Sequence, residues 1–97
     1  MIKMMTYQLI AKENIEKISF PKRDVLSSEI EKKSLYSKIH RATSLGNIEN
    51  HKVFIFFEDR GGLKKVFTTI WAQTKEKVIL KKGLAIPVNR IHDIRFS

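Results

Sequence analysis

Four turn signals interrupt residues 51–97, and they constrain the fold more than any other feature of the chain. Asp59-Arg60-Gly61-Gly62 supplies glycines for the positive φ that hairpin loops need. Thr74-Lys75-Glu76, Gly83 and Asn89-Arg90-Ile91 follow. Between them lie strand-length segments whose apolar residues recur with a period of two. Lys52–Glu58 has apolar residues on both faces, which predicts cover on both sides. Lys65–Gln73 is read as one long strand, with Val66, Thr68, Ile70 and Ala72 on one face and Phe67, Thr69 and Trp71 on the other. Lys77–Lys81, Leu84–Val88 and a short His92–Phe96 complete the set. Pro87 has no N–H to donate to a ladder, which places its strand at an edge.

Before His51 the period is helical. Leu26, Ile30, Leu35, Tyr36, Ile39, Ala42 and Leu45 form an apolar stripe, and the spacing predicts a helix over Ser27–Leu45. Ser27 or Ser28 caps it, Glu29 and Glu31 sit at its positive end, and Gly46-Asn47 provides a stop. Ser34–Ala42 also half-alternates, so a strand is the competing reading there. Residues 1–24 form an arm in which Thr6–Ile10 is a short strand and Pro21 ends what precedes it. Because both hairpins lie beyond the arm, the body is expected to fold without residues 1–20.

With 97 residues, the chain has room for one small domain, not two. Helix first and strands after, with no helix between strands, excludes parallel βαβ folds. The expected class is α+β, mainly β. An N-terminal helix precedes a four- to five-stranded bent antiparallel sheet, or a partly open SH3-like or Sm-like barrel, over residues 51–97. The chain lacks cysteine, which removes disulfides and thiolate zinc sites. No apolar run approaches the roughly 18–20 residues of a membrane helix, and the N-terminus makes a poor signal peptide. A cytoplasmic protein with no membrane partner is therefore expected.

Leu84-Ala85-Ile86-Pro87-Val88-Asn89-Arg90-Ile91-His92-Asp93-Ile94 is an apolar-Pro-apolar strand running into an Arg-Ile-x-x-Ile ending. In strand order the chain resembles the Rho-binding antiterminator Rof and the archaeal-type RNase P subunit of the same Sm-like fold. That resemblance implies a small barrel. Rof is acidic and takes a positive partner, whereas this chain carries a formal charge of +9, so a Rho-like target does not transfer. Residues 35–97 also resemble a small uncharacterised family of the Bacteroidetes, through Leu35–Ala42, Leu45-Gly46-Asn47 and Thr68-Thr69-Ile70-Trp71-Ala72. That family has no assigned activity and implies no functional residue.

No catalytic constellation assembles in the sequence. There is no G-x-S-x-G elbow, and Glu58-Asp59 opens a hairpin, where an Asx turn is the ordinary role of the aspartate. Gly61-Gly62 leads into a strand and lacks the spacing of a phosphate loop. His40, His51 and His92 lie on different elements without metal-ligand spacing. The reading is a non-enzymatic protein with no cofactor and no metal.

Two binding functions remain. One is an interaction module that takes a protein partner or a second copy, using Leu84–Val88 or Thr6–Ile10 as a free sheet edge. The alternative is a low-specificity RNA or DNA binder. The positive charge is spread evenly, nine basic against five acidic residues over 1–48 and ten against five over 49–97, as a diffuse attraction for anions would be. The candidate nucleic-acid-binding residues are Lys52, Arg60, Lys64, Lys65, Trp71, Lys81 and Lys82. Counting outward from Thr74–Glu76 places Lys64-Lys65 and Lys81-Lys82 toward one end of a sheet, as a basic rim. Trp71 with Phe67 would stack bases if exposed. Packing of Trp71 beneath the helix, against Tyr36 or Ile39, is the preferred reading, because a small core needs its only tryptophan.

Overall fold

The structure, a computed structural model, describes residues 6–96. In chain order the elements are β1 (Gln8–Leu9), a 3-10 turn (Lys12–Lys17), α1 (Glu29–Glu49), β2 (Val53–Asp59), β3 (Gly62–Thr68), β4 (Ile70–Gln73), β5 (Lys77–Leu80), β6 (Ala85–Pro87) and β7 (Ile91–Phe96). The strands form two sheets. One is four-stranded and mixed, in the order β1-β3-β2-β7; the other is three-stranded and antiparallel, in the order β4-β5-β6. The class is α+β and mainly β, and the sheets do not close into a barrel.

The helix forms where the period predicts and ends later. Ser28 is the cap, its Oγ accepting from the Glu31 N–H at 3.3 Å. Leu35, Ile39, Ala42 and Gly46 are its buried stripe, while Ile30 (81% exposed) and Tyr36 fall off it. Gly46 is not the stop. A Cβ there would stand 2.3 Å from the Ile70 carbonyl oxygen, so glycine is required for close approach of helix and strand. The helix continues one more turn to Asn50, which adopts the left-handed conformation (φ 53°, ψ 33°) and donates its N–H to the Gly46 carbonyl at 3.0 Å.

That approach also divides the long strand expected over Lys65–Gln73. Thr69 lies at the corner, its hydroxyl donating to the Asn50 carbonyl at 3.2 Å, so β3 ends at Thr68 and β4 starts a new sheet at Ile70. The β4–β5 turn is held by Thr74, whose Oγ1 accepts from the Glu76 and Lys77 N–H groups at 3.2 and 3.0 Å. Pro87 lies on β6, an edge of the second sheet, as its missing donor demands.

A single core joins these parts. Val53, Ile55 and Phe57 of β2 are fully buried against Ile39 and Ala42 of α1, Ile70, Val78, Leu80 and Ile86 of the second sheet, and Ile94 of β7. The arm contributes side chains to this core. Ile15 is buried and the Phe20 ring lies 5.9 Å from that of Phe57. β1 is the one parallel strand, pairing Gln8 with Lys64 and Leu9 with Lys65. The rest of the arm is stitched down by backbone: Arg60 N–H to the Ser19 carbonyl (3.1 Å), Val25 N–H to the Asn89 carbonyl (2.9 Å), and Asn89 Nδ2 to the Lys22 carbonyl (2.6 Å). Arg90, almost wholly buried, donates to the Glu58 carbonyl at 3.0 Å and to the Arg23 carbonyl, tying β2 to the arm.

Candidate nucleic-acid interface

Alternation along β2 sends Val53, Ile55 and Phe57 inward, so Phe54 and Phe56 must point outward. Among the described residues, the expected cover on both sides is complete on the inner side alone. The helix, the 3-10 turn and the second sheet all contribute to the one core on the inner side. On the outer side Phe54 and Phe56 are half-buried, and Phe67, opposite Phe54 on β3, is 39% exposed.

Register sets what surrounds these rings. Phe54 lies opposite Phe67 on one flank and Arg95 on the other; Phe56 lies opposite Lys65 and Asp93. The Phe54 and Phe67 centroids are 4.5 Å apart, and Phe54 and Phe56 are 6.3 Å apart. Tyr7, just before β1, meets Phe56 edge-on at 4.9 Å. Cations lie over the rings: Arg95 Cζ at 5.2 Å from Phe56, Lys65 Nζ at 5.9 and 6.0 Å from Phe54 and Phe56, and Lys52 Nζ at 5.9 Å from Phe67. Tyr7, Phe56, Lys65, Asp93 and Arg95 enclose a shallow depression of about 280 Å³.

The carboxylates of this face are already engaged. Glu58 holds His92 Nε2 at 2.9 Å and Arg90 at 3.9 Å, and Asp93 holds Lys38 Nζ at 2.7 Å. Among the described residues, Lys65 and Arg95 have no ion pair. Burial raises the Tyr7 pKa above its ordinary 10.0, and the nearby charges of Asp93 and Glu58 add to this against the opposing effect of Arg95. Tyr7 is thus a neutral phenol at physiological pH. The face presents a sheet of π-surfaces with cationic side chains over them, of which Lys65 and Arg95 make no ion pair among the described residues.

Of the residues singled out from sequence, Lys52 and Lys65 belong to this face. Lys64 does not: it lies on the inner side, 14% exposed, with Nζ 3.1 Å from Asp59 Oδ1. The same Asp59 oxygen accepts from the Gly61 N–H at 2.7 Å, which is the Asx turn expected of it. Arg60 is bonded to Ser19, Nε to Oγ at 3.2 Å. Lys81 and Lys82 sit in a 3-10 turn after β5, in the second sheet, so the four lysines do not share a sheet and no basic rim forms from them. The strand break at Thr69 is the reason. Trp71, on β4, is 42% exposed and is not packed beneath the helix. It makes no ring contact with Phe67, which lies in the other sheet.

Sequence reasoning passed over Phe54, Phe56, Tyr7 and Arg95. The available signal was an imbalance. Lys52–Glu58 is apolar on both faces, yet the chain has only one long helix to cover it.

Among the described residues no group of three or more metal-ligating side chains occurs, and no helix is long and apolar enough to cross a membrane. Comparison of the chain with family models, curated proteins and solved structures returns no match.

Proposed function

We propose that the outer face of the four-stranded sheet binds single-stranded nucleic acid with low sequence specificity. The observation that carries the reading is the interleaving of cations and half-open rings, with Lys65 within about 6 Å of two phenylalanines and Arg95 over one of them. Every base has a π-face, so Phe54, Phe56 and Phe67 stack bases without regard to sequence, at roughly 1–3 kcal/mol per base. Lys52, Lys65 and Arg95 meet the phosphates between them, and the overall charge of +9 draws the strand in. Duplex DNA, whose bases are already stacked, gains only the phosphate contacts. No chemistry is done on the strand; the protein acts as a holder.

The reading is tested by anisotropy of a short labelled oligo(U) at several salt concentrations, with duplex DNA of the same length beside it. Three phosphate contacts give a log–log salt slope of about −2, since each contributes roughly −0.7 on a single strand. Oligo(U) is expected to bind more tightly than the duplex. Equal affinity for both overturns the stacking platform, and absence of binding at low salt leaves the face to a protein partner or a second copy of the chain.

A further inference from the structure

A second concavity lies elsewhere in the molecule and shares no residue with the outer face of the four-stranded sheet. It is a cleft of about 600 Å³ between the arm and the start of α1 on one side and the β4–β5 turn and β6 on the other. That volume falls within the roughly 300–1,000 Å³ of pockets that take small molecules. Its floor is apolar: the half-buried Phe20, Pro21, Leu26 and Pro87, backed by the buried Leu35, Val88 and Ile91. Its walls are fixed by the hydrogen bond from the Tyr36 hydroxyl to the Lys75 carbonyl (3.1 Å) and by that from Asn89 to the Lys22 carbonyl.

The rim decides the ligand. Four lysines and two carboxylates line the cleft. Lys32 is bound to Asp24 at 3.1 Å and to Glu29 at 3.7 Å. Lys22, Lys75 and Lys77 are exposed and have no ion pair among the described residues, and Glu76 is the only remaining acid at the rim. An apolar floor under a net positive rim complements a molecule with an apolar body and one negative head. A neutral apolar ligand would leave the lysines unused, and a small hydrophilic anion would leave the floor unfilled.

We infer that this cleft binds a small amphipathic carboxylate, its hydrocarbon part on Phe20, Leu26 and Pro87 and its head among Lys22, Lys75 and Lys77. The test uses the full chain, two-dimensional amide NMR, and three probes below any micelle threshold: decanoate, decanol and acetate. Decanoate is expected to shift the amides of Leu35, Val88 and Ile91 saturably, decanol to bind about tenfold more weakly for want of the charged head, and acetate not to saturate. The combined variant Lys22→Gln, Lys75→Gln, Lys77→Gln is expected to bring decanoate down to the affinity of decanol. Leu26→Trp, checked by circular dichroism to be folded, fills the cleft and is expected to abolish both. The assignment is overturned if decanoate shifts do not saturate or spread over the basic surface away from the cleft. It is equally overturned if decanol matches decanoate or the glutamine variant binds decanoate as the parent does.

Discussion

The two faces of β2 are built from neighbouring residues and obey different rules. Val53, Ile55 and Phe57 are fully buried, surrounded by helix, second sheet and arm. Phe54 and Phe56, one residue away, are half-buried, with the rings of Phe67 and Tyr7 and the cations of Lys65 and Arg95 against them. Aromatics on the inner face lower the free energy of the fold by leaving water. Those on the outer face leave water only in part, and the lysine and arginine stems across them reduce the cost of the remainder. A strand apolar on both sides thus need not be a strand sandwiched between layers. Its second side can stay half open beneath neighbouring rings and cationic side chains.

The sharpest way to break this contrast is to truncate both faces. Phe57→Ala is expected to cost about 3–5 kcal/mol, which is a large part of the stability of a domain of this size. Phe56→Ala is expected to cost about 1 kcal/mol, because its site is half open and a cavity does not form there. Urea denaturation of the two variants measures both. Equal costs would mean that the outer face is a second core and not a surface.

The helix offers the same contrast on a smaller scale. Gly46→Ala is expected to lose about 1–3 kcal/mol through overpacking, since the Ile70 carbonyl oxygen is backbone and cannot swing aside. Alanine's advantage over glycine in a helix, about 1 kcal/mol, works against this loss and does not cancel it. Asn47→Ala, on the exposed side next door, is expected to be neutral or slightly stabilising. A Gly46→Ala protein as stable as its parent would show that helix and strand corner are not in hard contact.

On the outer face the expected effects move from stability to binding. Phe67→Ala should weaken oligo(U) by roughly 1–3 kcal/mol while changing the urea midpoint little. Lys65→Gln should shift the salt slope by about 0.7 toward zero, the contribution of one phosphate contact. If Lys64→Gln shifts the slope equally, the face has been assigned to the wrong residues of β3, because Lys64 is committed to Asp59 on the inner side.

These residues also mark how far the sequence could be read. The period of two after His51, the Gly61-Gly62 hairpin and the Pro87 edge are local properties, and each is found in the structure. The helix start is equally local, since Ser28 meets its own first turn. The misreadings share a different cause. Gly46 as a stop, the unbroken strand through Thr69 and the buried Trp71 all depend on where helix and second sheet meet, which no window of neighbouring residues contains. Lys64 and Lys65 illustrate the point for the site. They are adjacent and chemically identical, yet alternation sends one to Asp59 and the other to the phenylalanines. Strand register was needed to tell them apart.

The smallest expected effect is a pH dependence confined to the outer face. Burial and the carboxylates of Asp93 and Glu58 disfavour the ionised form of Tyr7, so its pKa in the folded protein lies above the ordinary 10.0 of the unfolded chain. The fold therefore retains the Tyr7 proton where the unfolded chain has begun to lose it. The stability linked to Tyr7 is fully present below about pH 10 and is lost as pH rises through the folded value. Lysines and Tyr36 titrate in the same range, so the informative quantity is a difference. Tyr7→Phe lacks the titrating hydroxyl and keeps the ring on Phe56. From pH 7 to 9 the urea midpoints of parent and variant are expected to run parallel, and above pH 10 the parent should fall faster. Parallel curves throughout would mean that Tyr7 ionises as freely in the fold as outside it, and that the phenol stands in open solvent instead of against Phe56.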